Sequence, residues 1–112
     1  MDIKQKKLLA DVVSGYVLKT TGFNNDATVL GDFTEYYDKD NNILCRLRKN
    51  HDEFSNEDYL DCHILYDFYI NMFKYLNVKT GDFHEIFRIA FSNLTGKNLH
   101  QVIPCITIDD LT

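Results

Sequence analysis

Residues 54–78, FSNEDYLDCHILYDFYINMFKYLNV, are the stretch around which we predict the fold to be organised. Apolar side chains recur there every four residues, at Leu60, Ile64, Phe68, Met72 and Leu76, with a second row at Leu65, Tyr69 and Phe73. This spacing predicts a helix buried around most of its circumference. Ser55, followed three residues later by Asp58, indicates the start of that helix, because the hydroxyl can accept a first-turn N–H group.

Two further helices are predicted on either side of this stretch. In residues 3–21 the apolar side chains fall on one helical face, and Gly22 is suited to a left-handed C-terminal cap. Residues 80–95 have the same periodicity, with Asp82 and Glu85 as a cap pair and a glycine at position 96. Because the link between the second and third helices is short, we expect those two helices to run antiparallel.

Strand patterns occur in two places. Residues 33–49 alternate around a polar turn and predict an antiparallel β-hairpin, and residues 102–108 predict one more strand. Pro104 cannot donate to a ladder, which favours an edge position for that strand. Residues 23–32 are predicted as a loop. The predicted fold class is α+β in a single domain, residues 1–112: an N-terminal helix, an antiparallel β-hairpin, two antiparallel helices and a C-terminal edge strand.

Composition narrows the range of functions. The 112 residues carry a formal net charge of -5, and direct nucleic-acid binding is disfavoured because such proteins usually present a basic patch. Three widely spaced cysteines predict no disulfide framework and fit a reducing compartment. No signal-peptide pattern and no long apolar run is present, so the expectation is a cytoplasmic protein that does not enter a membrane.

Catalytic, metal and cofactor motifs give little signal. His63 and Asp67 would share one helical face, but no third ligand stands at a diagnostic spacing, so we predict no metal site. The sequence contains no nucleotide-binding loop and no nucleophile elbow, so we predict neither a cofactor nor an enzyme. Ser55 at the start of an acidic helix loosely resembles the modified serine of acyl carrier proteins, although the usual Asp-Ser-Leu motif is replaced by Phe-Ser-Asn. An acyl-carrier-like domain therefore stays as an alternative.

An acidic segment gives the strongest functional indication. Residues 50–61 contain several carboxylates and neither lysine nor arginine. The candidate partner-binding residues are Asp52, Glu53, Glu57, Asp58 and Asp61, together with Tyr59, Tyr66 and Asp67. If the segment continues into an exposed helical strip, these side chains form one negative surface with aromatic anchors, which suits a basic protein partner.

In size, acidity, tyrosine and asparagine content, and the acidic segment 52–61, the chain resembles the small acidic immunity proteins that bacteria make against their own toxins. The resemblance implies a cytoplasmic, non-catalytic protein that binds a cognate toxin, often a basic nuclease, and masks its active site. In that case the carboxylates of the segment would mimic nucleic-acid phosphates. A phage or plasmid accessory inhibitor is an alternative of the same kind. The sequence does not indicate an oligomeric state.

Overall fold

A computed structural model describes residues 1–23 and 26–106, and it has the predicted α+β class. The N-terminal helix precedes a five-stranded sheet, two helices follow the fourth strand, and the last strand returns to the sheet. The elements are α1 (Ile3–Thr21), β1 (Ala27–Leu30), β2 (Phe33–Tyr37), β3 (Ile43–Asp52), β4 (Glu57–Leu65), α2 (Tyr66–Leu76), α3 (Thr80–Thr95) and β5 (Leu99–Cys105).

The strand order in the sheet is β1-β2-β3-β4-β5. The first four strands form an antiparallel meander, whereas β5 runs parallel to β4 after the chain has passed through α2 and α3. The predicted hairpin is confirmed as β2 and β3, and the predicted edge strand is confirmed as β5, which contains Pro104. It pairs with β4 rather than with that hairpin, and positions 107 and 108 of the prediction lie outside the described residues.

The helix predicted over residues 54–78 is wrong in its first half. Residues 57–65 form strand β4, and only Tyr66–Leu76 is helical. The strand is held on both sides, because β3 pairs with it from Asp52↔Glu57 to Cys45↔Ile64 and β5 pairs along its other edge. These two ladders satisfy the backbone groups of β4, so tertiary pairing overrides the local helical pattern.

The loop predicted over residues 23–32 contains a short strand. Ala27–Leu30 pairs with β2 through a tight turn at Gly31, whose φ of 63° is readily adopted by glycine. All four residues of this strand are exposed, so its sequence lacks the alternation of apolar and polar side chains that indicates a half-buried strand. The turn chemistry assigned to Asn24 and Asn25 lies outside the described residues.

The predicted ends of the other two helices are confirmed, except for one cap. Gly22 ends α1 in the left-handed conformation, with its N–H group bonded to the Leu18 carbonyl at 3.2 Å. Gly96 ends α3 and also has the left-handed conformation. The cap pair predicted at Asp82 and Glu85 is wrong, because α3 begins at Thr80 and no side chain caps it. Both carboxylates instead face the Lys6 ammonium of α1, at 3.9 and 3.7 Å.

The hydrophobic core lies between α3 and one face of the sheet. Phe83, Phe87 and Phe91 of α3 are fully buried. The rings of Phe87 and Phe91 are stacked with 4.7 Å between their centroids, and the ring of Phe83 is tilted against that of Phe87 at 5.5 Å. The sheet contributes buried side chains at alternate positions, namely Tyr36, Cys45, Leu47, Cys62, Ile64 and Val102. Because α1 packs against α3 through Val13 and Val17, the core is closed on that side as well.

The opposite face of the sheet carries an ordered ionic network. Glu35, Arg46 and His63 stand side by side on β2, β3 and β4, since Glu35 pairs with Arg46 and Arg46 pairs with His63 in the register. An Arg46 guanidinium nitrogen lies 3.1 Å from a Glu35 carboxylate oxygen, and both side chains are buried. The Tyr37 hydroxyl donates to the second oxygen of Glu35 at 3.2 Å.

We expect protonation of His63 to destabilise the fold. Burial lowers the pKa of His63 below its ordinary value and outweighs the Asp61 carboxylate, which acts in the opposite direction. On acidification the unfolded chain therefore takes up this proton first. His63 therefore has no effect on stability above the ordinary histidine pKa of about 6.5, where it is neutral in the folded and the unfolded chain. Below that pH its contribution makes the fold less stable. His63→Gln should reduce the difference between the urea midpoints measured at about pH 7.5 and about pH 5.5. An unchanged difference would contradict this assignment.

Candidate partner-binding site

The turn between β3 and β4 is the most distinctive surface feature of the fold, and we call residues 51–59 the acidic hairpin. Asp52 and Glu57 form the last pair of the ladder, and residues 53–56 make the turn. The carboxylate of Asp52 accepts the Phe54 N–H group at 2.9 Å. Asn56 has a φ of 57°, which asparagine tolerates better than most residues. The side chains of Asp52 and Asn56 therefore favour this turn.

The acidic hairpin extends beyond the rest of the sheet. The last β2 pair with β3 is Phe33↔Arg48, and the first β5 pair with β4 is Leu60↔Leu99. Residues 50–52 and 57–59 therefore form a two-stranded ribbon, and no third strand from residues 1–23 or 26–106 pairs with it on either side. Its base is supported on one edge by the ring of His100, whose centroid lies 4.9 Å from that of Tyr59.

Phe54 lies at the tip of this ribbon with its whole side chain in solvent. Its relative exposure is 103%, whereas Phe83, Phe87 and Phe91 are fully buried. An aromatic ring buries a large apolar area when a partner covers it, and aromatic residues are enriched at protein interfaces. The ring borders an open hollow of about 470 Å³, which is also lined by His51, Tyr59 and His100.

The carboxylates around Phe54 differ in their surroundings. Asp58 accepts from His51 Nδ1 at 2.8 Å and lies 3.2 Å from the Lys49 ammonium. The hydrogen bond with His51, followed by that with Lys49, lowers the pKa of the Asp58 carboxyl below its usual value. Glu53 and Glu57 form no ion pair with any residue in the described part of the chain. Asp52 also forms no ion pair within residues 1–23 and 26–106, but it is only partly exposed, so the negative charge available to a partner is centred on the two exposed glutamates.

Three of the predicted binding residues lie elsewhere. Asp61 is inside the sheet, where it is 6% exposed and accepts the Asn50 side-chain amide at 2.8 Å. Tyr66 and Asp67 begin α2 at the far end of β4, about 26 Å from Glu57 at the usual rise per strand residue. The predicted continuous surface is wrong, because it required β4 to be a helix. Asp52, Glu53, Glu57, Asp58 and Tyr59 do come together in the acidic hairpin.

Sequence reasoning missed Phe54, His51 and His100. The signal for Phe54 was present, because a large apolar residue stood between Asp52 and Asn56, both of which favour turns. His51 was recognisable only once Asp58 was known to lie directly opposite it on the neighbouring strand. The position of His100 depends on β5, whose pairing partner is distant in sequence.

The alternative sites have little structural support. His63 lies on β4 and Asp67 on α2, so the two do not share a helical face, and no cluster of metal-ligating side chains occurs in residues 1–23 and 26–106. Ser55 lies in a turn between strands rather than at a helix start, which is where the carrier alternative placed it. Within the described residues, no helix has both the length and the apolar character needed to cross a membrane.

Comparisons with known proteins give no relative for this chain. No protein-family model matches it, and neither a curated protein nor a solved structure does. The geometry of the acidic hairpin therefore carries the functional assignment.

Proposed function

We propose that this chain is a small cytoplasmic inhibitor of the toxin-immunity type, which binds a basic protein partner through the acidic hairpin. The observation that carries the proposal is Phe54, which is fully exposed at the tip of a self-stabilised turn. It lies between two glutamates that form no ion pair within the part of the chain that the structure describes. A partner that buries this ring would gain the free energy of removing its apolar surface from water.

The charged and the aromatic side chains of the acidic hairpin have different roles in the proposed complex. Glu53 and Glu57 create a negative potential that accelerates encounter with a positively charged surface. Phe54 then supplies the apolar contact that holds the complex, since aromatic residues are frequent among the residues that dominate binding energy. Asp52 contributes through the turn, because its bond to the Phe54 N–H group stabilises the backbone that carries the ring before the partner arrives.

A nuclease toxin is the partner that fits this arrangement best. Nucleases bind phosphates with clustered lysine and arginine side chains, so exposed carboxylates on a narrow hairpin can occupy the same positions. In this proposal Glu53 and Glu57 take the place of phosphates, and the protein masks the active site without catalysing a reaction. The formal net charge of -5 favours attraction to such a basic surface.

A charge reversal tests this proposal. The partner is first captured from the native cells with tagged protein and identified by mass spectrometry. We then expect Glu53→Lys with Glu57→Lys to weaken its binding by about a hundredfold, because both attractions become repulsions. Isothermal titration calorimetry at low and high salt measures the change, and raising the salt concentration should weaken the wild-type complex.

The matched control carries the same change in charge at positions away from the hairpin. Asp11 is exposed on α1, and Asp40 lies in the β2–β3 turn at the opposite end of β3. Asp11→Lys with Asp40→Lys should leave the affinity within a few-fold of wild type. Equal losses in the two double variants would show that net charge alone matters and would reject the acidic hairpin as the binding site.

A further inference from the structure

A second interaction surface lies on α1, away from the acidic hairpin. Met1, Leu8 and Leu9 line a groove of about 670 Å³ together with Val78, which follows α2. Leu8 is 61% exposed, and Val12, one turn further along the same side of α1, is 48% exposed. The helix thus buries one apolar stripe in the core, at Val13 and Val17, and leaves another in solvent.

Lysines and the carboxylate of Asp82 border the groove, and that carboxylate lies 3.9 Å from the Lys6 ammonium. Lys79 lines it directly, and Lys4 lies one helical turn before Leu8 on the same side of α1. Neither lysine forms an ion pair with any residue of 1–23 or 26–106. The Asp2 carboxylate caps α1 by accepting the Gln5 N–H group, but the first turn itself contains no acidic residue, so the Lys4 ammonium is opposed by the helix dipole. A ligand that is both apolar and negatively charged would offset both unfavourable features.

The chain itself presents such a ligand in the acidic hairpin, where the exposed Phe54 is flanked by Glu53 and Glu57. The two surfaces lie at opposite ends of α3. Asp82 in its first turn lines the groove, whereas Lys97 and Asn98, just beyond its end, lie beside Tyr59. A helix of 16 residues is about 24 Å long, so one molecule cannot place its hairpin in its own groove.

We propose that the groove on α1 receives the acidic hairpin of a second copy of this chain. Phe54 of one molecule packs against Leu8 of the next, and the carboxylates of Glu53 and Glu57 pair with the ammonium groups of Lys4 and Lys79. Because the two surfaces are different, each molecule can accept one neighbour and be accepted by another. The association is head-to-tail, weakened by salt, and it covers the hairpin that the proposed function uses.

Sedimentation equilibrium of the full chain over a wide concentration range gives the first test. At low salt we expect the weight-average mass to rise beyond twice the 13.1 kDa of the single chain. At high salt it should fall back towards 13.1 kDa. A mass that stays at 13.1 kDa at every concentration would overturn the proposal.

A mixture of two variants gives the sharper test. Phe54→Ala removes the hairpin anchor and keeps the groove, whereas Leu8→Glu disables the groove and keeps the hairpin. Each variant alone should lose about tenfold or more in association constant. Mixed in equal amounts, they should form a heterodimer that grows no further, since only one complementary pair of surfaces remains. Misfolding of either variant would not be repaired by mixing, and both residues are exposed, so both variants should fold.

Two results would reject the head-to-tail contact. A mass that levels off at that of a dimer, and that Phe54→Ala leaves unchanged, would indicate a symmetric contact through α1. Failure of the two variants to associate when mixed would show that the surfaces are not complementary. The outcome is separable from that of the proposed function, because Leu8→Glu leaves the acidic hairpin intact. This variant should bind the basic partner at least as tightly as wild type.

Discussion

Replacement of Phe87 by alanine is expected to lower the free energy of unfolding by about 3–5 kcal/mol, the usual result of removing a fully buried phenylalanine. The ring is completely buried on α3 and packs on aromatic neighbours from two helices. Its centroid lies 4.7 Å from that of Phe91, 5.1 Å from Tyr69 and 5.5 Å from Phe83. These neighbouring rings also pack against one another, so the cavity left by the Phe87 ring cannot close without moving them. We therefore expect a loss in the upper part of the range of about 3–5 kcal/mol.

Urea unfolding followed by circular dichroism measures this loss, and Phe54→Ala is the matched control. Both changes remove the same atoms, but Phe54 is fully exposed, so its replacement should change stability by no more than about 0.5 kcal/mol. Since a domain of this size is stable by only about 5–15 kcal/mol, the Phe87 variant should show a clearly lower urea midpoint. Similar midpoints for the two variants would contradict the packing described for α3.

Replacement of Arg46 by methionine is the second change with a large expected effect, again about 3–5 kcal/mol. The methionine retains most of the apolar stem, but Glu35 is left 5% exposed and without its guanidinium partner. A buried carboxylate in that situation is strongly unfavourable. Adding Glu35→Leu to the Arg46 variant removes the buried carboxylate, so the double variant should recover most of the lost stability.

The double-mutant cycle needs a control in which an ion pair is lost at the surface. Lys49 lies on the same strand as Arg46, and its pair with Asp58 has side chains that are 57% and 51% exposed. Lys49→Met should change stability by less than about 1 kcal/mol. If the Arg46 and Lys49 variants lost equal amounts, or if the double variant were no more stable than Arg46→Met, burial of the Glu35–Arg46 pair would not be the cause.

The first and the last helix were predicted with their correct bounds. Residues 3–21 and 80–95 are helical as the periodicity indicated, and the glycines that follow them have the left-handed conformation. These signals are local, because a helix bonds to itself and a glycine cap depends on its own backbone. The hairpin of β2 and β3 was predictable for the same reason, since its strands are joined by a short turn.

Strand β4 was missed because a spacing of four residues fits a strand as well as a helix. Side chains separated by an even number lie on the same face of a strand, so Leu60 and Ile64 point to the core in either conformation. The deciding contacts come from β3 and from β5, and the latter is separated from β4 by two helices. A single stretch of sequence contains no record of such distant pairing.

The same error divides the candidate site. Acids that are close in sequence around a turn stay close in space, so Asp52, Glu53, Glu57 and Asp58 were grouped correctly. Asp61 was wrongly included in this group. It is buried because of its position inside the sheet, and that position depends on the strand pairing. Tyr66 and Asp67 were moved away because an extended chain covers more than twice the length per residue of a helix.

The overhang of β3 and β4 past their neighbours also determines the shape of a suitable partner. A ribbon of two strands, spaced about 4.8 Å apart, is roughly 10 Å wide with its side chains, much narrower than the whole sheet. It can enter a cleft from which the body of the protein is sterically excluded, and Phe54 would then reach the floor while the sheet rests on the rim. We therefore expect the partner surface to be concave rather than flat, with its positive charge on the walls.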